Sequence, residues 1–392
     1  MLTHLGLTPS FGFGDRLGLA TPGHIAAIQG THIAPIFAQQ SVRENARTGR
    51  TPLQVMNDAK RAVVKMGWQG PWGADADHLK TLQDLPPFVD AGFTFFTVDP
   101  GEFVDNFADS DSLQTLREKF KVSERKEVGW DQLSSLYLSH GQIFDFGEFD
   151  DETLLRAEIK YGKAIRHTIK MYHHLLQLKE SFDFEVSVDE TNAPTTPLEH
   201  FFIANELSRS GVQFTSLAPR FIGRFEKGVD YIGDLGLLDT EMAKHAAVTA
   251  LFGTYKLSLH SGSDKFSVYP LIAKYWGNHI HVKTAGTSYL EALRVIAVME
   301  PNLFKNIWNL ALARYPMERA TYHVSAEIEK VPNKMDLPAL LDEFNARQIL
   351  HVTFGSALAL YGNEIKDALN KHADLYTSFL EIHFSKHLNL LK

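Results

Sequence analysis

The chain has 392 residues, of which 44% are hydrophobic and 22% charged, with a formal net charge of −8 and no cysteine. This length and composition suffice to bury a sizeable core. The acidic balance argues against a nucleic-acid surface, which needs clustered Lys and Arg. The lack of cysteine excludes disulfides, thiolate nucleophiles and Cys-ligated zinc or iron–sulfur sites.

The chain opens on MLTHLGLTPSFGFGDRLG, without the basic and then apolar pattern of a signal peptide. No stretch approaches the ~20 apolar residues that a membrane-spanning helix needs. We therefore expect a cytoplasmic protein that binds neither membrane nor nucleic acid. A homo-oligomer is compatible with this composition.

Short β-rich runs alternate with helical patterns along the first 300 residues. The candidate strands are FGFGDRLGL (from Phe11), HIAPIFAQ (from His32), GPWGADAD (from Gly70), FTFFTVD (from Phe93), FEVSVDE (from Phe184), VQFTSLAP (from Val212), YKLSLHSG (from Tyr255) and HIHVKTAG (from His279). Helical patterns such as TPLQVMNDAKRAVVKMG separate most of them. Such alternation predicts a parallel sheet, and eight strands predict a (β/α)8 TIM-type barrel over residues 1–300.

Two stretches fall outside this rhythm. Residues from about 102 to 183 are too long for one connection and carry helical patterns such as DDETLLRAEIKYGKAIRHTIKMYHHLLQL. They predict a helical insertion after the fourth strand, placed to act as a lid. Residues 301–392 predict a mainly helical C-terminal extension packed on the barrel, with short extended pieces at TYHVSAEIE and ILHVTFGSAL.

Side-chain alternation predicts which residues point into the barrel. In FEVSVDE the apolar residues point outward toward the helices, whereas Glu185, Ser187 and Asp189 point inward and Glu190 begins the loop. By the same alternation, the inward residues of other strands are Thr97 and Asp99, Ser258 and His260, and His279, His281 and Lys283. Ionisable residues thus end several strands at the C-terminal face, where barrel enzymes place their active sites.

The inward histidines and acids suggest a divalent-metal site. His260 and His281, with an acid from Asp189 or Glu190, supply imidazole and carboxylate ligands that suit Zn, Mn, Co, Ni or Fe. We prefer Glu190 as the ligand because its longer stem can fold back over the mouth. That choice leaves Asp189 as the catalytic base, with Asp99 as the second candidate. The alternative is that both histidines are structural and bonded to neighbouring hydroxyls.

Other polar residues are candidates for substrate binding. Lys283 could form a Schiff base with a keto substrate, but we favour a role in holding a carboxylate or polarising an oxygen. Arg220, after SLAP, could clasp a carboxylate, although a lone Arg past a strand is a surface residue nearly as often. Ser261, Asp15 and Gln39 follow or end other strands and complete the candidate set. The glycines of FGFGDRLG are spaced GxGxxxG, with no acidic residue at the end of the next strand, so we expect no NAD.

Several long segments carry a family resemblance. They are FGFGDRLGLATPGH, TFFTVDPGEF, VSVDETNAPTTPLEH, LAPRFIGRFEKGVDYIGD, LSLHSGSDKFSVYP and HVKTAGTSYLEALR. Together they make the chain, from about Phe11 to about Gly355, resemble the tagaturonate epimerases. These are bacterial enzymes of hexuronate catabolism with relatives used as tagatose 4-epimerases. The resemblance implies a barrel fold and a metal-dependent sugar-acid epimerase that interconverts D-tagaturonate and D-fructuronate, with D-tagatose and D-fructose as further candidate substrates.

The chemistry of this reaction favours retro-aldol cleavage. The inverted carbon lies β to both the ketone and the carboxylate, so neither group acidifies its C–H bond. Breaking the bond to the carbon beside the ketone, turning the aldehyde fragment and rejoining it would invert the centre. A hydride route would normally need a nicotinamide. The alternatives are a metal-dependent ketose isomerase or aldolase and, outside catalysis, a sugar-acid-binding protein.

Overall fold

The computed structural model describes residues 1–123, 129–138 and 144–392, and its centre is a closed barrel of eight parallel strands in sequential order. The strands are β1 Ser10–Gly14, β2 Ala34–Ser41, β3 Gly73–Leu79, β4 Phe95–Val98, β5 Asp183–Ser187, β6 Ser216–Ala218, β7 Lys256–Leu259 and β8 Ile280–Thr284. Each lies within or overlaps a predicted strand. The predicted TIM-type barrel is therefore confirmed.

Helices surround the barrel. In the described part of the chain they are α1 Thr21–Ile28, α2 Val42–Thr48, α3 Pro52–Lys65, α4 Leu85–Ala91, α5 Leu113–Val122, α6 Trp130–Tyr137, α7 Asp151–Leu178, α8 Pro197–Arg209, α9 Leu235–Phe252, α10 Tyr269–Trp276, α11 Thr287–Met299, α12 Pro301–Glu318, α13 Phe344–Val352, α14 Phe354–Lys371 and α15 Ala373–Asn389. None of them combines the length and apolar character needed to cross a membrane.

The alternation of each strand separates an apolar outside from a polar inside. Outward residues such as Val186, Leu257 and Val282 are fully buried in the core between strands and helices. Inside, the lower end of the barrel is mainly apolar, where Leu5 packs with Ile36 and Phe95, although the buried Lys256 also lies at this end. Ionisable residues are thus concentrated toward the C-terminal ends of the strands.

The insertion after β4 is helical, as expected. It contains α5, α6 and α7, and α7 begins at a capping box in which the Asp150 side chain accepts from Thr153 N–H. Asn106 Oδ1 accepts a hydrogen bond from Asn192 N–H, 2.8 Å away, on the loop after β5. Residues 124–128 and 139–143 of the predicted insertion lie outside the described residues.

The C-terminal extension contains α12 to α15 and packs on barrel helices, α15 against α1 and both α14 and α15 against α11. The extended piece predicted at ILHVTFGSAL is wrong, because these residues form the end of α13 and the start of α14. Ile349 and Val352 are buried there, so packing overrides their β propensity. The other piece, TYHVSAEIE, contains extended residues but no strand. The division at residue 300 stays a prediction.

Candidate active site

Lys283 lies at the centre of a buried charge network in the upper barrel. It points inward from β8, is 4% exposed, and donates to the hydroxyl of Thr97. Its Nζ lies 2.7 Å from Asp75 Oδ2, 2.8 Å from Asp77 Oδ1 and 2.8 Å from Glu185 Oε1. Burial alone would lower the pKa of Lys283, but these carboxylates raise it above its usual value. The Lys283 amine is therefore protonated and is bound by these three carboxylates.

His260 extends this network toward the mouth. Its Nε2 lies 2.7 Å from Glu185 Oε1, and its Nδ1 lies 3.3 Å from Asp189 Oδ1. Ser187 donates to the same Asp189 oxygen at 2.5 Å. Burial would raise the pKa of Glu185, but Lys283 and His260 hold it well below its usual range. Glu185 is therefore an ionised acceptor for the His260 ring.

His78 approaches the same carboxylate from β3. Its Nδ1 lies 2.8 Å from Asp77 Oδ1 and its Nε2 lies 3.6 Å from Asp189 Oδ1. His78 has a φ of 51°, in the left-handed region that non-glycine residues rarely adopt. Ser261, which follows His260, also has a φ of 51°. Such backbone strain is concentrated at functional sites, where the surrounding structure holds it.

The donor set fits a divalent cation. Ligand atoms of His78, Asp189 and His260 all lie within 4.8 Å of one another. Each imidazole has one nitrogen beside a buried carboxylate, Asp77 for His78 and Glu185 for His260. Their other nitrogens both face Asp189. Histidine ligands usually donate their second N–H to a carboxylate in this way, which orients the ring toward the metal.

Two adjoining cavities open at this cluster. The outer cavity, of about 190 Å³, is lined by residues that include Arg43, Glu190, Arg220, Lys227, Ser261 and Tyr322. The inner cavity, of about 40 Å³, is lined by residues that include Gln39, Asp77, His78, Lys283 and His351. Asp189 and His260 line both. The arrangement offers an outer space with four cationic side chains, Arg43, Arg220, Arg224 and Lys227, and an inner space beside the cluster.

The acids at the mouth are ionised. Burial would raise the pKa of Asp189, but His260 and His78 hold it well below its usual range. For Glu190 the cost of burial is outweighed by the neighbouring His78 and Arg43, and its pKa is also lowered. Deeper in the barrel, burial raises the pKa of Asp75 to about 7. Asp189 and Glu190 are therefore ionised at neutral pH, whereas Asp75, deeper in the barrel, can keep its proton.

A model of the UxaE family, described as tagaturonate epimerase, matches residues 3–391. The chain is 45% identical to the tagaturonate/fructuronate epimerase of Thermotoga maritima, in a match that covers 99% of this chain and 81% of that protein. The chain belongs to the tagaturonate epimerase family. The predicted resemblance is thereby confirmed, and with it the isomerase class of enzyme.

Solved structures agree with this assignment to the tagaturonate epimerases. A glycerol complex of fructuronate-tagaturonate epimerase from Cohnella laeviribosi matches with a TM-score of 0.95 and 40% identity over 100% of this chain and 83% of that one. Its native form matches with a TM-score of 0.94 at 39% identity and the same coverage. A probable tagatose 6 phosphate kinase from Sinorhizobium meliloti, at a TM-score of 0.54 and 11% identity, is alike in fold alone.

Most predicted site residues of this epimerase line the two cavities. Asp189, Glu190, Arg220, His260, Ser261, Gln39 and Lys283 all do so. Gln39 donates from Nε2 to Thr284 C=O at 2.9 Å, while its buried Oε1 has no hydrogen-bond partner within the described chain. A Cβ atom on Gly12 would lie 1.6 Å from that oxygen, so Gly12 makes room for the Gln39 side chain.

Three predicted residues line neither cavity. His281 contacts Ser10 Oγ at 2.9 Å and packs on the ring of Phe95, two residues below Lys283 on the same strand. Asp15 accepts hydrogen bonds from three backbone N–H groups of its own loop and lines neither cavity. Asp99 accepts from Gly101 N–H and also lines neither cavity, but its carboxylate and the ligand atoms of His78 and Glu190 lie within 4.8 Å of one another. We therefore no longer assign His281 to the metal group or Asp15 to the substrate, and Asp99 stays the second candidate for the base.

The sequence reasoning missed His78 as a candidate ligand. Inward alternation along β3 predicts Asp75 and Asp77, and it would turn His78 outward. The left-handed backbone of His78 breaks the alternation and returns its ring to the interior. The run DADH at a strand end was the available signal. Arg43 and Lys227 were also missed, because they lie on α2 and on the loop after β6 rather than on strands.

Proposed function

We propose that the chain interconverts D-tagaturonate and D-fructuronate with the help of one divalent cation. The observation that carries this proposal is the cluster of His78, Asp189 and His260 beside an outer cavity lined by cations. The names of the Thermotoga maritima and Cohnella laeviribosi relatives support the same pair of substrates. The composition of the site suits an anionic, oxygen-rich molecule.

His78, Asp189 and His260 would hold the cation, with Asp77 and Glu185 orienting the two rings. Ligand atoms that share one ion at bond lengths of about 2.1 Å lie roughly 3–3.5 Å apart. The distances from Asp189 Oδ1 to the two ring nitrogens that face it, 3.3 and 3.6 Å, are close to that spacing. When bound, a divalent cation supplies Lewis acidity toward ketone and hydroxyl oxygens. Imidazole and carboxylate ligands do not discriminate among Zn, Mn, Co, Ni and Fe.

Arg220 is our candidate for binding the substrate carboxylate. Burial lowers its pKa, which is the direction expected of a cation without a close anionic partner. Its side chain has no hydrogen bond or ion pair among the described residues. Arg43 already lies 3.4 Å from Glu190, and Lys227 donates to Ser261 Oγ at 2.6 Å. The Arg220 guanidinium, unpaired among the described residues, favours binding of the anionic uronate over the neutral ketose.

Glu190 is our candidate for the base, which reverses the preference drawn from the sequence. Asp189 lies between the two ring nitrogens that face it, whereas Glu190 lies 4.0 Å from His78 and its side chain is 33% exposed in the outer cavity. In the proposed reaction, Glu190 takes the proton of the hydroxyl on the inverted carbon. The bond between that carbon and the carbon beside the ketone breaks, its electrons form the enediolate, and the hydroxyl carbon becomes an aldehyde.

Rejoining completes the epimerisation. The aldehyde turns over, the enediolate carbon attacks its other face, and Glu190 returns the proton to the new alkoxide. The C–H bond of the inverted carbon is never broken. Lys283 contributes charge and not an imine, because the carboxylates around it keep its amine protonated. Lys283 lines the inner cavity, where its positive charge could polarise an oxygen of the substrate.

One assay tests this function. Purified protein is incubated with D-tagaturonate, and the formation of D-fructuronate is followed by NMR before and after treatment with a chelator. We expect turnover that chelation abolishes and that a divalent cation restores. Full turnover in metal-free protein would contradict the proposed need for a divalent cation. Binding of the uronate without turnover would indicate a sugar-acid-binding protein instead.

A further inference from the structure

His351 brings an unused polar side chain from the C-terminal extension into the barrel mouth. It lies on α13, is 1% exposed and lines the inner cavity together with His78 and Lys283. Neither of its ring nitrogens has a hydrogen-bond partner within the described residues. A buried polar group without a partner costs stability, so such groups call for an explanation.

The surrounding backbone is shaped to admit this ring. A Cβ atom on Gly286 would lie 1.8 Å from His351 Nε2, so any larger residue there would displace the imidazole. Gly286 precedes α11 at the C-terminal end of β8, close to Lys283. The glycine and the histidine therefore fit together, although 65 positions separate them in the chain (351 minus 286).

Buried hydrogen bonds fix α13 over the mouth. Arg347 donates to Asp264 Oδ2 at 2.9 Å and to Gly228 C=O at 2.7 Å, on the loops after β7 and β6. Gln348 donates to Glu226 Oε2 at 2.8 Å. The residues just before His351 thus tie the helix to two loops of the site. This anchoring gives the ring one position relative to the inner cavity.

The ring is neutral in these surroundings. Burial and the nearby cations, among them Arg16, Lys227 and Arg347, hold the pKa of His351 well below its usual value, and the opposing effect of Asp264 does not reverse this. A neutral imidazole has one N–H donor and one acceptor nitrogen. A hydroxyl group, which both donates and accepts, complements either atom, whereas a carboxylate complements the donor alone.

We propose that His351 is a substrate-binding residue that hydrogen-bonds hydroxyl groups of the open-chain sugar acid in the inner cavity. This inference rests on the proposed function, since it assigns part of the same substrate. The substrate carboxylate lies toward Arg220 in the outer cavity, and the hydroxylated carbon chain extends inward past the cluster to His351. The C-terminal extension is then a part of the active site.

The test compares His351→Phe with the wild-type protein, with D-tagaturonate as substrate. Phenylalanine keeps a planar ring of similar size but offers no hydrogen bond. We expect kcat/KM to fall roughly tenfold or more, as for loss of one or two hydrogen bonds to substrate. The Tm should not fall, because two unpaired polar atoms leave the interior, and the metal content per chain should not change.

His24→Phe is the matched control. His24 is also a fully buried histidine, but it bonds to Ser288 Oγ at 2.8 Å and lines neither cavity. That variant should lose stability and keep its kcat/KM. An equal kcat/KM in His351→Phe and wild type would overturn the proposal. A fall in metal content would also overturn it and make His351 a ligand, and a fall in Tm that accounts for the lost activity would make it structural.

A thermodynamic cycle that combines the His351→Phe variant with substrate analogues lacking single hydroxyl groups tests the proposed contact directly. Removing the hydroxyl that His351 binds should weaken wild-type kcat/KM and have little further effect in the variant, whereas every other deoxy position should act equally on both proteins. Equal effects at every position would refute the contact. If His351→Phe does not fold, His351→Gln, which keeps one donor and one acceptor, is measured in the same cycle. A wild-type protein without epimerase activity would refute the proposed function itself, and the inference with it.

Discussion

Lys283→Met tests the buried charge network directly. The substitution keeps an unbranched side chain but removes the cation that lies within 2.8 Å of three carboxylates. Removing one partner of a buried ion pair costs about 3–5 kcal/mol, because the other charges stay buried. For a chain of this size we expect Tm to fall by roughly 4–6 °C at neutral pH.

Lys256→Met is the matched control, because Lys256 is also fully buried inside the barrel, on the neighbouring strand β7. Its Nζ donates to Thr8 C=O at 2.8 Å and to Ser10 Oγ at 2.9 Å, and not to a carboxylate. Burial lowers its pKa from 10.5 to about 8. Its charge therefore destabilises the fold by about 3 kcal/mol at neutral pH. The Lys256→Met variant is relieved of this cost but loses two hydrogen bonds, each of which contributes about 1 kcal/mol. We therefore expect its free energy of unfolding to differ from wild type by no more than roughly 2 kcal/mol.

The pH dependence separates the two variants. In the wild-type protein the pKa of Glu185 is lowered, so its stabilising contribution is present above the unfolded pKa and is lost as pH falls through the folded pKa. Without Lys283 the pKa values of the three acids rise relative to wild type, although His78 and His260 still lower those of Asp77 and Glu185. The folded state then takes up protons on acidification, and the loss in Lys283→Met should shrink as pH falls from about 8 to about 5.

Urea and thermal unfolding of the three proteins, followed by circular dichroism in chelator and again with divalent metal, measures these effects. A Lys283→Met protein as stable as wild type at about pH 8 would refute the reasoning. So would a loss that is the same at both ends of the pH range. An equal loss in Lys256→Met would show that any buried lysine behaves in this way, whatever its partners.

Four further outcomes are expected. His78→Ala should lose its bound divalent cation by elemental analysis, and full metal content would exclude His78 as a ligand. Glu190→Gln should lower kcat about 10²–10⁴-fold with little change in Tm; an unchanged kcat would exclude it as the base. Arg220→Ala should raise KM for the uronate far more than for D-tagatose, and an equal effect on both would indicate a structural role. In D2O the hydrogen on the inverted carbon should be retained by NMR, and borohydride with substrate should leave no adduct on Lys283; deuterium at that carbon or such an adduct would contradict cleavage and rejoining.

Local patterns in the sequence were enough to predict the barrel. Apolar and polar residues alternate along each strand because one face meets the helices and the other faces the interior, and this period needs no long-range information. The same alternation predicted Glu185, Asp189, His260 and Lys283 as inward residues. Their side chains do meet inside the barrel, since parallel strands bring their C-terminal ends to one face.

Alternation gives the face of a residue but not its depth. The pairing register of β7 and β8 sets Ser258 opposite His281, so His260 lies level with Lys283 and His281 lies about 6–7 Å lower. That offset removes His281 from the cluster and buries it beside Ser10, where its pKa falls to about 3. Depth follows from the stagger of the whole barrel, which no single strand encodes.

Other features arise only when distant segments pack together. His78 joins the cluster through one left-handed residue, which breaks the pattern that the rest of β3 obeys. His351 reaches the inner cavity because α13 is tied to the loops after β6 and β7. Asp15 is drawn away from the mouth by three N–H groups of its own loop. These placements depend on loop geometry and on helix packing across the chain, and neither has a periodic signature in the residues themselves.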